Sequence, residues 1–237
     1  MIQYERRKSI LDYLKKEHTA TIRDLSAHVY ASEASVRRDI GSLEKEGLVT
    51  RTWGGVMLAN HPNQVIPLRM RDTTEVSNKE AVAKMAAELI FDGATVILDA
   101  SSTTRRILHY IGDRHDVRII TNNCQLFDPE DNHGFTVYGT GGLYSKKNHS
   151  FTGPAAEQYI RTIHADLFFF SSQGISEDGE ITDSSEEETS LRRVMLTRAD
   201  KKIFLCDSSK LGQKRLFTVC LKDDIDRILC DKPLPWE

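Results

Sequence analysis

Residues 31–55 read ASEASVRRDIGSLEKEGLVTRTWGG, and this stretch decides the first domain. Ser32 is placed to cap a helix over about 33–46, in which Val36, Ile40 and Leu43 recur at i, i+4 and i+7 as a buried stripe. Ser35, Arg37 and Arg38 fall on its N-terminal half, off that stripe. Gly47 stands where a left-handed cap would end the helix. Leu48–Arg51 and Val56–Leu58 flank Thr52-Trp53-Gly54-Gly55, which predicts a two-stranded wing with a glycine turn. Trp53 fits either a plug beside the wing or a contact residue.

Working outward, Ile10, Leu11 and Leu14 mark a first helix over about 4–17. Thr21-Ile22-Arg23-Asp24 has the form of a capping box, with the short Asp24 in place of the better glutamate. Leu25 and Val29 give the second helix a narrow apolar face, and Tyr30-Ala31 make the turn. Two short helices, a tight turn, and serines and arginines on the exposed half of the second suit entry into a major groove ~12 Å wide, where arginine can bond guanine bidentately. The candidate DNA contacts are Thr21, Ser32, Glu33, Ser35, Arg37 and Arg38, with Arg51 of the wing reaching phosphate. Residues 1–58 carry ten Lys/Arg and eight Asp/Glu, while the whole chain is at −3. The positive end is therefore the one that would face a polyanion.

Residues 59–77 break the pattern with Pro62 and Pro67 and read as a linker, with a short ordered piece around 68–70. Beyond it apolar strands alternate with helices. Helices are expected at 78–91, from Ser101–Thr104 through Ile111, near 154–163 and at about 185–199. Strands are expected at 94–98, 117–120, 135–138, 166–170, 202–206 and 226–230. This is an α/β pattern, a mostly parallel sheet covered on both faces. Small polar residues cluster after five of these strands: Asp99 to Thr104, Thr121 to Asn123, Gly139 to Gly142, Ser171 to Gly174 and Asp207 to Lys210. In open α/β sheets those ends form the ligand crevice. Loop amides and hydroxyls at Ser101–Thr104, a helix dipole and the point charge of Lys210 predict an anion site for a small phosphorylated compound. Neither G-x-x-x-x-G-K-[ST] nor G-x-G-x-x-G is present, which argues against a nucleotide.

Hydrophobic residues are 39% and charged residues 28%, a globular balance. The longest dense apolar run, Leu167–Phe170, falls far short of the ~18 to 20 residues of a membrane span, and the N-terminus lacks a signal-peptide core, so a cytoplasmic protein is expected. Cys124, Cys206, Cys220 and Cys230 lie far apart without C-x-x-C, so no metal site, no disulfide framework and inert thiols are expected.

Residues 31–55 resemble the winged helix-turn-helix of DeoR-type bacterial regulators, whose V-S-x-x-T-I-R-R-D-L stretch is followed by L-E-x-x-G and paired glycines; Arg37-Arg38-Asp39 is intact here. The likeness runs over almost the whole chain. The D-x-G-[ST]-T-T loop of DeoR effector domains appears as Asp99–Thr104 with Ser101 for glycine. The T-N, G-G, G-I and D-S-S-K motifs match Thr121-Asn122, Gly141-Gly142, Gly174-Ile175 and Asp207–Lys210, and Arg192 stands where relatives often have lysine. The resemblance implies a fold similar to ribose-phosphate isomerases, glucosamine-phosphate deaminases and CoA transferases, and phosphosugar binding by Asp99, Ser101, Ser102, Thr103, Thr104, Thr121, Asn122, Gly141, Gly142, Gln173, Gly174, Asp207 and Lys210. The rival reading is a sugar-phosphate isomerase or deaminase with an added head. Its acid cluster would fall at Ser171–Gly174, which holds no carboxylate, and Glu177, Asp178 and Glu180 look like a solvated turn. Asp99 and Asp207 could serve as bases but suit hydrogen bonds to sugar hydroxyls or neighbouring amides better. The expectation is a non-enzymatic, homo-oligomeric transcription regulator, most simply a repressor of carbohydrate metabolism, without cofactor: head 1–58, linker 59–77, sensor 78–237.

Overall fold

The structure is a computed structural model that describes residues 2–17, 19–52, 55–59, 65–128, 130 and 134–235. The chain divides into two compact units, residues 1–66 and 67–237.

The first unit holds α1 (Gln3–Glu17), β1 (Thr19–Ala20), α2 (Ile22–His28), α3 (Glu33–Lys45), β2 (Val49–Thr52) and β3 (Gly55–Leu58). Ile10, Leu11, Leu14, Leu25, Val36, Ile40, Leu43, Val49 and Val56 are buried as its core. Full burial of side chains of this size contributes ~1.5 to 3 kcal/mol each. The capping box at Thr21 forms in both directions: Asp24 N donates to Thr21 Oγ1 at 3.1 Å, and Thr21 N to Asp24 Oδ2 at 3.1 Å. α3 ends as its glycine predicts. Gly47 has φ +68°, its N–H donates to Glu44 O, and Leu48 N donates to Leu43 O at 2.8 Å, the paired bonds of a Schellman motif. The wing has a third strand beyond the expected two: β1 pairs with β3, giving the order β1-β3-β2. Trp53 lies outside the described residues.

The second unit begins with a helical turn, α4 (Leu68–Arg71), and α5 (Val76–Ala87). The later half of the expected linker is therefore built into this unit, because Leu68 is buried and Lys79 of α5 donates to Arg71 O at 2.6 Å and Thr74 O at 2.7 Å. β4 (Thr95–Leu98), β5 (Arg118–Thr121), β6 (Thr136–Gly139), β9 (Ala165–Phe170), β12 (Ala199–Cys206) and β14 (Arg227–Cys230) form one parallel sheet in the order β14-β12-β9-β4-β5-β6. The chain runs outward from β4 to β6, then returns to the other side of β4 with β9. The topological switch point thus lies between β4 and β9. One face packs on α5 and the 3-10 helix Thr104–Tyr110 around Val82, Ala86, Leu98, Ile107 and Phe169. The other packs on α6 (Pro154–Arg161) and α7 (Glu186–Leu196) around Ile160, Phe168, Phe170, Leu191 and Phe204.

Two additions were not read from sequence. β7 (Leu143–Ser145) and β8 (Ser150–Thr152) form a hairpin, and β10 (Gly174–Ile175), β11 (Glu180–Asp183) and β13 (Phe217–Leu221) form an antiparallel sheet. Glu177 and Asp178 lie in the turn of the β10–β11 hairpin, with Gly179 at φ +84°, whereas Glu180 opens β11 and pairs with Lys214 at 2.5 Å, so the solvated turn expected there stops short of it.

Candidate functional site

The head carries one candidate surface. Ser32 caps α3: its Oγ accepts from Ser35 N at 3.3 Å and lies 3.0 Å from Ser35 Oγ. Val36, Asp39, Ile40 and Leu43 face inward, which leaves Arg37 and Arg38 exposed. Arg37 is held by Glu33 one turn earlier at 2.7 Å, Arg38 by Ser35 Oγ at 3.3 Å, and Arg51 of β2 by Glu44 of α3 at 3.0 Å. The two ion pairs among them are solvent-exposed, worth ~0.2 to 1 kcal/mol each, and so are cheaply exchanged for a phosphate or a base. Arg51 lies across α3, close enough that a Cβ on Gly41 would stand 3.5 Å from its guanidinium. Thr21 is committed to its cap. Asp39 has a role the sequence did not show: buried, it accepts from Arg6 Nε at 2.5 Å, Arg7 Nε at 3.4 Å and Gln3 Nε2 at 3.3 Å, fastening α3 to α1. The orientation of Arg37 and Arg38 thus depends on the residue that follows them.

The second site lies at the carboxyl ends of the parallel strands. At the switch point Asp99 (after β4) and Ser171 (after β9) meet, with Ser171 N donating to Asp99 Oδ2 at 3.2 Å. Lys210 reaches the same place, 2.7 Å from Ser171 Oγ and 3.2 Å from Asp207 Oδ2. Three of the five expected loops are therefore joined through Asp99, Ser171 and Lys210. Against burial, Lys210 holds the Asp207 carboxyl below its ordinary pKa, and Ser209 adds a hydrogen bond.

The Ser101–Thr104 loop is buried. Ser101 Oγ accepts from Thr104 N at 3.1 Å, and Thr104 Oγ1 donates to Asp99 O at 2.8 Å. Both hydroxyls are spent inside the loop. The helix that follows is a seven-residue 3-10 helix rather than the expected α-helix, so the anticipated helix dipole contributes little. Thr103 Oγ1 is different: it is buried and has no hydrogen-bond partner among the described residues, and the same holds for Asn122 Oδ1 and Asn123 Nδ2 after β5. Uncompensated burial of such groups costs ~1 to 3 kcal/mol each, so these atoms mark where a polar ligand would be rewarded.

Thr121 Oγ1 donates to Leu98 O at 2.7 Å, and Asn122 Nδ2 donates to Phe151 O at 3.0 Å and Glu188 Oε2 at 3.3 Å. Gly141 is exposed at φ +62° with open space around it. Gly142, at φ +114°, is required by packing, since a Cβ would stand 2.5 Å from Thr152 O. Gln173 and Gly174 belong to the second sheet: Gln173 Oε1 accepts from Ser184 Oγ at 2.9 Å, and a Cβ on Gly174 would stand 2.3 Å from Gln213 O.

Sequence reasoning singled out Arg192 only as a replacement for lysine and missed Lys79, Arg106, Asp183 and Glu188, which join the charges of the crevice. Arg192 is buried, with Nε 2.7 Å from Asp99 Oδ2, Nη1 3.0 Å from Asp183 Oδ2, and Nη2 4.0 Å from Glu188 Oε2. Burial works against its charge, but Asp99, Asp183 and Glu188 overcome that and hold its pKa above the ordinary value. Glu188, pushed up by burial, also accepts from Ser150 Oγ. Arg106 donates to Ser102 O at 3.1 Å and to Asp72 O at 2.7 Å, bridging the loop after β4 to the turn after α4. Lys79 is pushed down to about 7 by burial, then by the nearby Lys210 charge.

The family models and the related sequences agree on one family. The family model of the DeoR-like helix-turn-helix domain matches residues 6–61, and that of the DeoR C terminal sensor domain matches residues 74–232. The HTH-type transcriptional repressor GlcR of Bacillus subtilis is 32% identical over 98% of this chain and 90% of its own length. A putative aga operon transcriptional repressor of Escherichia coli O157:H7 is 30% identical over 98% of this chain and 87% of its own length. Among solved structures, the ribose 5-phosphate isomerase of Methanocaldococcus jannaschii aligns with 58% of this chain and 55% of its own, at 17% identity and a TM-score of 0.44.

Proposed function

This chain belongs to the DeoR family of helix-turn-helix transcriptional regulators, and from that premise we propose that it is a cytoplasmic repressor of a carbohydrate operon whose grip on operator DNA is set by a phosphorylated sugar. The head reads DNA through α3: Ser32, Ser35, Arg37 and Arg38 face the groove, Glu33 releases Arg37 to the DNA, Thr21 lies at the N-terminus of α2 beside the backbone, and Arg51 meets phosphate. The names of the two repressors above support the repressing sign.

The observation that carries the effector reading is the crevice at the carboxyl ends of the strands, where Lys210 meets Ser171 and Asp207 and where the loops after β4 and β5 hold buried polar atoms that lack partners. A phosphate there gains the ammonium of Lys210, the Thr103 hydroxyl and loop amides, while Asn122 and Asp207 face the sugar hydroxyls and Asp99 holds the surrounding loops in place. Gly141 adds open backbone; Gly142, Gln173 and Gly174 shape the walls. Arg106 joins the carbonyls of Ser102 and Asp72, so a shift of the loop on binding reaches the turn that follows the segment joining the two units.

An isomerase reading fares worse. A general base needs a free lone pair, and the Asp99 oxygens already accept from Ser101 N, Thr104 Oγ1, Ser171 N and Arg192 Nε. A homo-oligomer follows from the half-site geometry of such heads. It is supported by Tyr138, Leu143 and Tyr144, exposed on β6, the last strand of the sheet, and on β7 beyond it.

The test is a thermal-shift panel. A phosphosugar at a hundredfold excess over its dissociation constant stabilises by ~2.7 kcal/mol, and the free sugar does much less. Lys210→Ala weakens that effector about tenfold or more, since a charge-assisted bond contributes ~1.5 to 3 kcal/mol, and leaves effector-free operator binding intact. Equal response to sugar and phosphosugar ends the phosphate reading.

A further inference from the structure

Cys206 and Cys230 close two neighbouring parallel strands, β12 and β14, and are direct partners in register. Residues paired in this way project to the same face, with Cα atoms about 4.8 Å apart, inside the ~4.4 to 6.8 Å that a disulfide spans. Both thiols are free, both pack on the same apolar cluster, and they interact side chain to side chain. Their surroundings differ. Cys206 is buried, and its contact with the other thiol, then burial, pushes its pKa up. Cys230 is half-buried and lines an open groove of about 650 Å³ along β14. The hydrogen bond from Cys206 brings its pKa down to about 7 against burial. The thiolate is the nucleophilic form, and of the two thiols Cys230 is the one shifted towards it and the one that lines the groove.

The pair is also wired to the crevice. Asp231, next to Cys230, accepts from Ser208 N at 2.6 Å and Ser208 Oγ at 2.9 Å, and Cys206 precedes Asp207, the partner of Lys210. The wide spacing in sequence, from which inert thiols are expected, hides the pairing of these two across β12 and β14.

We propose that Cys206 and Cys230 form a peroxide-reactive dithiol whose closure to a disulfide displaces the Asp207–Lys210 turn. The Cys230 thiolate attacks one oxygen of hydrogen peroxide; the O–O bond breaks, hydroxide leaves, and Cys230 becomes a sulfenic acid. The Cys206 sulfur then attacks the Cys230 sulfur. The S–S bond forms, the S–O bond breaks, and the departing hydroxide takes the Cys206 proton and leaves as water. Peroxide is reduced by two electrons and the dithiol is oxidised by two. Neither step depends on the identity of the effector.

The experiment treats the full chain with stoichiometric hydrogen peroxide, alkylates the remaining thiols and reads intact mass and peptides. Four alkylatable cysteines before treatment become two after it, with the Cys206 and Cys230 peptides linked, the protein free of intermolecular bonds and the change reversed by dithiothreitol. The link still forms in the Cys124→Ser/Cys220→Ser double variant, and Cys230→Ser keeps all its remaining thiols alkylatable. Hydrogen exchange at residues 208–213 changes on oxidation. Four alkylatable thiols after peroxide, an oxygen adduct left standing on Cys230, or disulfides between chains overturn the dithiol; unchanged exchange across the turn overturns its mechanical effect.

Discussion

Arg37 and Arg192 each follow a glutamate by four residues on a helix, Glu33 and Glu188, and the two pairs behave in opposite ways. Glu33–Arg37 is a 2.7 Å contact between side chains that are 45% and 57% exposed. Glu188–Arg192 is a 4.0 Å contact in which both side chains are at least 94% buried, and the arginine spends its nearer bonds on Asp99 and Asp183. The same spacing thus marks a loose surface pair in one unit and a locked interior cluster in the other. Water makes the difference: it screens and competes for the first pair, while the second has been stripped of water and holds only if every charge is answered. A surface arginine on a weak tether is free to change partners, whereas a buried one is fixed to the partners it has.

That contrast breaks most readily at Arg192. Arg192→Met takes from buried Asp99 and Asp183 the counter-charge that bonds them directly, leaving only the more remote Arg71, and costs ~3 to 5 kcal/mol, read as an earlier unfolding transition of the sensor unit in urea. A loss below ~1 kcal/mol would show that the cluster is no lock. Asp39→Ala tests the intermediate case, a buried carboxylate answered by the partly exposed Arg6 and Arg7. It destabilises the head by ~1.5 to 3 kcal/mol, and operator affinity falls with it.

At the exposed end, Arg37→Ala shifts stability by no more than ~0.5 kcal/mol yet costs ~1 to 3 kcal/mol of sequence-specific binding, with relaxed preference in a gel-shift titration. Arg51→Ala weakens all sequences alike and lowers the salt slope by about one. Unchanged binding in both would remove α3 from the groove. Lys79 sharpens the comparison through pH. Below about 7 the folded and unfolded chains both carry its proton, and the folded chain bears the burial cost in full. Between about 7 and the ordinary 10.5 only the unfolded chain keeps it, so this lysine makes stability rise with pH. Lys79→Met flattens that rise; parallel melting curves for the two proteins would contradict it. The smallest effect concerns Tyr30, 94% exposed in a left-handed backbone at φ +49°. Tyr30→Gly stabilises the head by up to about 1 kcal/mol, seen as a slightly higher melting temperature.

Much of the architecture was legible because it is written in period and punctuation. The 3.6 spacing of Val36, Ile40 and Leu43, the cap at Thr21, the stop at Gly47 and the apolar runs of the central sheet need nothing from distant parts of the chain. The loops after the strands could be named for the same reason. Their wiring could not. Asp183 and Glu188 sit among Ser184, Ser185, Glu186 and Glu187, which look like solvated polar chain, and only the β10–β11–β13 sheet carries Asp183 to Arg192. Lys79 had left a clue, since it shares a helical face with Val82, Ala83 and Ala86 and so must be buried or break the stripe. β1 was invisible because two residues have no period, and the Cys206–Cys230 pairing was invisible because register across parallel strands is not local.

Gly55 shows how such distant wiring will surface in a genetic screen. A Cβ at this position would stand 2.3 Å from Ala20 O, the carbonyl of the strand that holds β3 against the head. Selection for derepressed mutants should therefore return substitutions at Gly55 of every size, alanine included, alongside those at Arg37. The two classes would share a phenotype and differ in rescue: suppressors of the arginine alleles would fall in operator bases, and those of the glycine alleles around residues 19–21 of the protein itself.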